Sequence, residues 1–367
     1  MKKYFAVIIG ILIIIISIIT IINSPSDTTI LLPTPFTEKN ESAIKEIADN
    51  LDFPTSIGIL PDGRITISEQ KGNIIFLDNN GTALNKYKLD DNYFNEGAGL
   101  LGLTIHPKFH ENNFLYVYYT YKSGEKIYNK ILRLQERNST IVSEKTIMDK
   151  IPASQLHNGG ALKFGPDAKL YAAVGDNTVS ESSQNLSSLG GKIHRINDDG
   201  TIPQDNPFKN STVYSYGHRN VVGLAWDFDN KVLYASEAGR IGNDEINTIK
   251  PGGNYGWPIE ECGNLEQNQQ SLEPEFCFTP SIYPAGMVIS NSTILGYEGK
   301  LIVSTLKSQH LRIIDPNSKD QSTILTGFGK LKDVTEDKEG SLYIITGNKD
   351  FFQNSGSDKL LKIIKNE

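Results

Sequence analysis

The sequence predicts an all-β protein, a six-bladed β-propeller, on three observations. A short apolar strand, a polar turn and a β-branched or aromatic strand recur six times. The recurrences are spaced by roughly 40 to 65 residues. Almost no segment between them carries helical periodicity. Strand, turn and strand make a hairpin signature, and the interval is long enough for one four-stranded sheet per recurrence.

The six motifs are "IGILPDGRITISEQ" from Ile57, "LTIHPKFHENNFLYVYYTY" from Leu103, "LKFGPDAKLYAAVGD" from Leu162, "LAWDFDNKVLYASEAG" from Leu224, "VISNSTILGYEGKLIVSTL" from Val288 and "VTEDKEGSLYIITGN" from Val334. Without helices between them they do not suit a parallel α/β sheet. Radial repetition leaves few exposed sheet edges; two β-sandwiches are the alternative, against which the even spacing counts. Repetition also accommodates a region of about 320 residues, beyond the ~250–300 at which a single core stops growing. The last strand, "DKLLKIIKN", is expected to close the ring with a strand from residues 46–60. The best helical candidate is "ESAIKEIADNL", Glu41 to Leu51.

The N-terminus is unlike the rest. Lys2 and Lys3 precede a nearly unbroken apolar run from Phe5 to Ile22. Spanning a bilayer core takes roughly 20 helical residues, so residues 1–22 read as a single transmembrane helix with the lysines inside and the remaining chain outside the cytoplasm. A cleaved signal segment is the alternative. Residues 23–45 form a polar, proline-containing linker, and residues 46–367 the propeller. The only two cysteines, Cys262 and Cys277, are able to pair in an oxidising compartment, contributing about 3 kcal/mol by loop closure; two free thiols are the other reading. Glycosylation sequons at Asn40, Asn80, Asn138, Asn185, Asn210 and Asn291 fit an exported surface. The net charge of −7 argues against nucleic acid as a partner.

The residues that carry chemistry lie between the strands, where propeller loops line the central mouth. "GAGLLGLTIHPKF" begins at Gly97, and "LHNGGALKFGPD" holds His157. "YSYGHRNVVGLAWD" holds His218, Arg219 and Asn220, and "SEAGRIGNDEINTIKPGGNYGWP" runs from Ser236 to Pro258. In this order the four segments resemble the soluble pyrroloquinoline quinone (PQQ) dependent glucose, aldose and sorbosone dehydrogenases, a family of six-bladed propellers, over essentially everything after residue 46. The resemblance implies oxidation of an aldose sugar at the anomeric carbon to a lactone. Removing a hydroxyl proton while hydride leaves carbon requires a base with a pKa near the working pH, which histidine supplies.

By the resemblance, His157 is that base. Arg219 polarises the quinone oxygen and stabilises developing charge, and Asn220 hydrogen-bonds the same region. Backbone carbonyls of Gly239 and Arg240 bind a Ca²⁺ that bridges protein and PQQ, an oxygen-rich site of the kind calcium prefers. From the residues themselves, Asp244, Glu245 and Asn247 are expected to hold that loop by hydrogen bonds, a side-chain metal site being the alternative, and Tyr255 and Trp257 to pack, with sugar stacking the lesser alternative. Gln70, Asn177 and Lys307 stand where the family places cofactor contacts. "GFGKLKD" stands where the family has R-x-R-D. Residues two apart in a strand share a face, so Lys330 and Lys332 are expected to meet one carboxylate; two solvated lysines are the competing reading.

Two departures mark this chain. Leu156 replaces the acidic residue that precedes the histidine in the soluble glucose dehydrogenases, and the lysine pair keeps charge but loses bidentate carboxylate recognition. Electrons are expected to leave to an external quinone, cytochrome or copper protein, since the chain has no CxxCH haem motif. Two other functions stay open on the sequence. One is a cofactor-less propeller that binds glycans or a protein; the other is a calcium-dependent hydrolase or lactonase of the same architecture.

Overall fold

A computed structural model describes residues 42–240, 242–262, 271–349, 351–352 and 356–365. The expected membrane segment and the expected linker up to residue 41 lie outside the described residues. Among those described, no helix is long and apolar enough to cross a membrane.

Strand β1 (Ser42–Leu51) comes first in the chain and is used last in the fold. Blade one is β2 (Pro54–Ile59), β3 (Ile65–Glu69), β4 (Asn73–Leu77) and β5 (Ala83–Lys88). Blade two is β6 (Leu100–Ile105), β7 (Phe114–Ser123), β8 (Lys126–Arg137) and β9 (Thr140–Pro152). Blade three is β10 (Leu162–Phe164), β11 (Leu170–Val174), β12 (Lys192–Ile196) and β13 (Val213–Tyr216). Blade four is β14 (Val221–Asp227), β15 (Val232–Glu237), β16 (Asp244–Ile249) and β17 (Phe276–Phe278). Blade five is β18 (Pro284–Ile289), β19 (Leu301–Thr305), β20 (Leu311–Ile314) and β21 (Gln321–Ile324). Blade six is β22 (Leu331–Glu336), β23 (Leu342–Thr346), β24 (Asp358–Lys365) and, at its outer edge, β1.

Each recurring sequence motif is the first hairpin of a blade. The first strands meet in order, β2 with β6, β6 with β10, β10 with β14, β14 with β18, β18 with β22 and β22 with β2, so the six-bladed ring closes. Every residue of β3, β11, β19 and β23 is buried. These second strands are covered on both faces by neighbouring blades, and so read as apolar runs rather than as alternation. Outer strand β5, "ALNKYK", is largely exposed. The cores lie between blades: Ile74 and Phe76 of blade one pack with Leu103, Leu115 and Val117 of blade two. Full burial of one such side chain contributes about 1.5–3 kcal/mol.

The inner strands approach so closely that some positions exclude a side chain. A Cβ on Gly102 would lie 1.9 Å from the Gly160 carbonyl oxygen of the next blade, and one on Gly223 would lie 2.3 Å from that of Ala285. Asp333 fastens blade six to blade one: its Oδ2 accepts from Ile57 N (2.9 Å) and Ser56 Oγ (3.1 Å).

The helical expectation for Glu41–Leu51 is overturned. Ser42–Leu51 is a strand, antiparallel to β24 from Ser42 opposite Lys365 to Leu51 opposite Asp358. Local helix propensity is a weak prior. Here it loses to the unpaired edge of β24, to packing of Ile47 and Ala48 on the Ile57 cluster, and to the Lys359–Glu46 ion pair at 2.6 Å. The ring closes through "DKLLKIIK" as expected, but its partner begins at Ser42, inside the expected linker. Cys262 and Cys277 are disulfide-bonded, with Cα atoms 5.7 Å apart. Asn80, Asn138, Asn185, Asn210 and Asn291 are all exposed; Asn40 lies outside the described residues.

Candidate active site

The loop "QLHNGG" leads into β10. His157 sits there at φ 56°, a left-handed conformation rare for a residue with a side chain. Its Nδ1 lies 2.9 Å from Oδ1 of Asp176. Asp176 follows β11, and β10 and β11 are antiparallel, so the residues before Leu162 fall beside those after Val174. The Asp176 side chain is only 2% exposed. Its Oδ1 also accepts from Thr178 N (2.8 Å), and its Oδ2 accepts from Trp257 Nε1 (2.9 Å). A carboxylate that accepts from Nδ1–H fixes the tautomer, leaving the lone pair on Nε2. His157 lines the central cavity, and Nε2 has no hydrogen-bond partner among the described residues.

The "GHRN" turn is held from beneath. His218 is fully buried; its Nδ1 contacts Glu237 Oε2 (3.0 Å), its Nε2 contacts Ser215 Oγ (2.9 Å), and its ring stacks on Tyr255 at 4.7 Å. Glu237 Oε1 accepts the backbone N–H groups of Arg219 and Asn220. Arg219 Nη1 donates to the carbonyls of Ala238 and Gly239, both at 2.8 Å, while its Nε is buried with no partner. Its guanidinium lies 5.4 Å from the Trp257 ring. Asn220 lines the cavity, and its Oδ1 accepts from Gly159 N at 3.1 Å, tying this turn to the His157 loop.

Asp244, Glu245 and Asn247 do hold the adjoining loop. Asp244 accepts from Gly239 N (3.2 Å) and from Tyr283 N (2.7 Å), and Glu245 accepts from Cys262 N (3.0 Å) and Asn247 Nδ2 (3.1 Å). Burial first, and the charge of Glu237 second, push the Glu245 carboxyl up to about 8 from an ordinary 4.5. Between those values the folded protein binds the extra proton, so this group makes stability fall as pH rises through the window. Glu245→Gln removes the titration. It is expected to raise Tm over wild type at about pH 9 and to leave Tm nearly unchanged at about pH 5, where Glu245 is already neutral. Thermal unfolding at the two pH values checks this; an equal difference at both contradicts the assignment.

The cavity has a volume of about 880 Å³ and touches all six blades, within the roughly 300–1,000 Å³ range of ligand sites. Gln70, Glu96, His157 and Tyr283 line it from the loops at one end of the inner strands, with Lys332 at the start of β22 near that end and Lys163, opposite Tyr171, further along. Gln70 spends its amide N–H groups on the carbonyls of Asn95, Glu96 and Ala98, at 2.8, 3.0 and 3.1 Å. Asn177 is buried behind His157, whose carbonyl accepts its N–H at 3.1 Å; it does not line the cavity, and its Oδ1 has no partner.

The lysines part company. Lys307 is exposed, as is Lys330, whose N–H donates to Asn348 Oδ1 (2.7 Å); neither lines the cavity. Lys332 does line it, with no hydrogen bond or ion pair among the described residues. The expectation of one shared face for Lys330 and Lys332 fails because Lys330 precedes β22 and a register shift between Leu331 and Asp333 breaks the two-residue alternation.

The sequence reading missed Asp176, and it gave Trp257 packing with sugar stacking as the lesser alternative, whereas Trp257 also donates to Asp176. It also missed Tyr283, which lines the mouth at φ 52°. Asp176 was reachable from the hairpin pairing; Tyr283 carried no signal.

PQQ, a planar tricarboxylate with an ortho-quinone, suits this cavity: the unpaired Lys332 ammonium lines it, and although Arg219 is not among the lining residues, its buried Nε is a donor without an acceptor beside Asn220, which is. Calcium does not suit the loop as arranged. The Gly239 carbonyl is already held by the Arg219 guanidinium, so an ion on that oxygen would face a cation. The Arg240 carbonyl accepts from Asn243 N (2.9 Å), and the described residues contain no group of three or more His, Cys, Asp or Glu able to hold a metal.

Fold and site together define a propeller enzyme, with a carboxylate-held histidine lining a cofactor-sized cavity. The chain belongs to the Glucose / Sorbosone dehydrogenase family, whose model matches residues 51–352. It is 27% identical over 351 residues to aldose sugar dehydrogenase YliI of Escherichia coli, covering 87% of this chain and 92% of that protein. It is 33% identical over 264 residues to quinoprotein glucose dehydrogenase B of Acinetobacter calcoaceticus, covering 62% and 55%. The PQQ-bound aldose sugar dehydrogenase of Streptomyces coelicolor matches with a TM-score of 0.77 at 31% identity, covering 89% of this chain and 98% of that one.

Proposed function

We propose that this chain oxidises an aldose sugar at its anomeric carbon to the lactone, with PQQ bound in the central cavity. The observation that carries the reading is the His157–Asp176 pair, with Nε2 free at the mouth of a cavity that holds unpaired cationic donors. The similarity to a PQQ-bound aldose sugar dehydrogenase supports it. Bound there, PQQ supplies an ortho-quinone that accepts hydride.

The remaining work falls to the chain. His157 Nε2 takes the proton of the anomeric hydroxyl, and Asp176 stabilises the resulting imidazolium. Arg219 and Asn220 provide donors at the quinone end, and Lys332 provides a cation for a carboxylate. Gln70 and Asn177 brace the loops around the base, and Lys307 and Lys330 add positive charge outside the cavity. Leu156, exposed beside His157, offers the sugar an apolar edge rather than a hydrogen bond. A Ca²⁺ on the Gly239 and Arg240 carbonyls requires Arg219 to leave Gly239.

Electrons then pass to an external quinone, cytochrome or copper protein. Phe5–Ile22 anchors the enzyme to the membrane with the propeller outside the cytoplasm. Purified protein titrated with PQQ, with and without Ca²⁺, is expected to shift the PQQ absorbance and then to reduce a dye with at least one member of an aldose panel. Absence of both the shift and the dye reduction overturns the reading.

A further inference from the structure

The motif "ALKFGPD" places a lysine on the innermost strand of blade three. Lys163 lines the main cavity and also the smaller one of about 400 Å³ next to it, so it stands at their junction. Its ammonium makes no hydrogen bond or ion pair among the described residues. Burial pushes its pKa down, and among the described residues Asp333 is the charge that pulls the other way. Asp333 is already engaged by Ile57 N, Ser56 Oγ and Val334 N, so it is not free to neutralise the lysine.

A desolvated, unpartnered cation costs stability. An apolar side chain would fill the same inner-strand position without that cost, and perturbed ionisable groups kept at such a cost cluster at functional sites. The surroundings give a direction. Glu336 lines both cavities, and the smaller one adds Asp337 and Glu339 with Lys338, so the carboxylates gather toward that end and disfavour an anion there. The main cavity offers Lys332 above, near the His157 mouth.

We propose that Lys163 anchors a ligand carboxylate at the floor of the central cavity. The inference rests on the reading that a PQQ-dependent sugar oxidation occurs in this cavity. The carboxylate belongs either to PQQ or to an acidic sugar such as a uronate, and the two sources separate experimentally.

Lys163→Met and Lys163→Gln are compared with wild type as cofactor-free, full-length proteins. Three quantities are measured: Tm, the Kd for PQQ by absorbance titration without sugar, and the Kd for glucuronate by calorimetry, with glucose as the uncharged control. The expected result is a Tm equal to or above wild type in Lys163→Met. A rise of roughly 10- to 100-fold in one Kd is expected in both variants, the size of one lost charged hydrogen bond. A rise for PQQ alone assigns the anchor to the cofactor, and a rise for glucuronate alone assigns it to the substrate. Unchanged Kd values for both anions overturn the proposal. So does a lowered Tm in both variants with affinities intact, which would make Lys163 a structural partner of Asp333. If wild type binds no PQQ, the proposed function fails on its own account and the glucuronate comparison alone decides Lys163; no glucuronate binding by wild type then overturns it.

Discussion

Replacing His157 with alanine is expected to lower kcat by about 10²–10⁴-fold, the usual contribution of a positioned general base, while PQQ affinity stays within a few-fold of wild type. The geometry separates the two effects. Imidazole Nδ1 is spent on Asp176, so the ring's free atom is Nε2, at the mouth where a sugar hydroxyl enters. The groups that meet the cofactor in the proposed reading come from other blades: Arg219 and Asn220 from the turn before β14, and Lys332 from β22. Stopped-flow reduction of the loaded enzyme by an aldose, beside a PQQ titration, reads both quantities. A rate that survives the substitution undiminished removes His157 from the chemistry. It would then direct attention to Glu96, the exposed carboxylate that lines the same mouth.

What was legible in the sequence follows the range of the interactions. The six blades were legible because each is announced by one contiguous hairpin, and a hairpin's apolar period and turn residues are local. The closing strand was legible only in part: a partner for the last strand was expected from residues 46–60, but not its start at Ser42. Residues 42–51 carry helical spacing, and only the open edge of β24, more than 300 residues away, makes them a strand. His157 was legible as a candidate through the motifs around it, yet its carboxylate partner lies 19 residues on, beside it only because β10 and β11 pair. The lysine pair was misread because a register shift in β22 does not show in an alternating pattern. Lys163 passed as an ordinary strand residue for the converse reason. Its place between two cavities is a property of the ring, whose axis no single blade contains. Likewise, the hold of Arg219 on the Gly239 carbonyl joins two motifs that were both identified, in a contact that neither motif encodes.

Asp176→Asn should be nearly as damaging as loss of the base itself, with kcat falling by about 10³–10⁴-fold in a protein that still folds and binds PQQ; tautomer-breaking Asp→Asn changes in other His–Asp pairs have effects of this order. Asparagine is isosteric, but its amide has one acceptor and one donor end. Trp257 Nε1 and Thr178 N are fixed donors that aim at different carboxylate oxygens. If the amide oxygen keeps Trp257, its NH₂ faces His157 Nδ1. That ring nitrogen must then accept, moving the proton to Nε2, where the base needs a lone pair. If the amide turns over, Thr178 and His157 keep their acceptor, and the buried Trp257 N–H is left against an NH₂. That costs about 1–3 kcal/mol for an unsatisfied donor; the first orientation leaves Thr178 N against the NH₂ instead, but that contact is only partly buried where the Trp257 contact is buried, so the orientation that preserves the base is the less favourable one. A double variant, His157→Ala with Asp176→Asn, distinguishes this from general damage: residues acting as one unit are not additive, so it should be no slower than His157→Ala alone. A further large drop in the double variant, or an Asp176→Asn enzyme that keeps more than about a tenth of the wild-type rate, would show that Asp176 does not act through the imidazole.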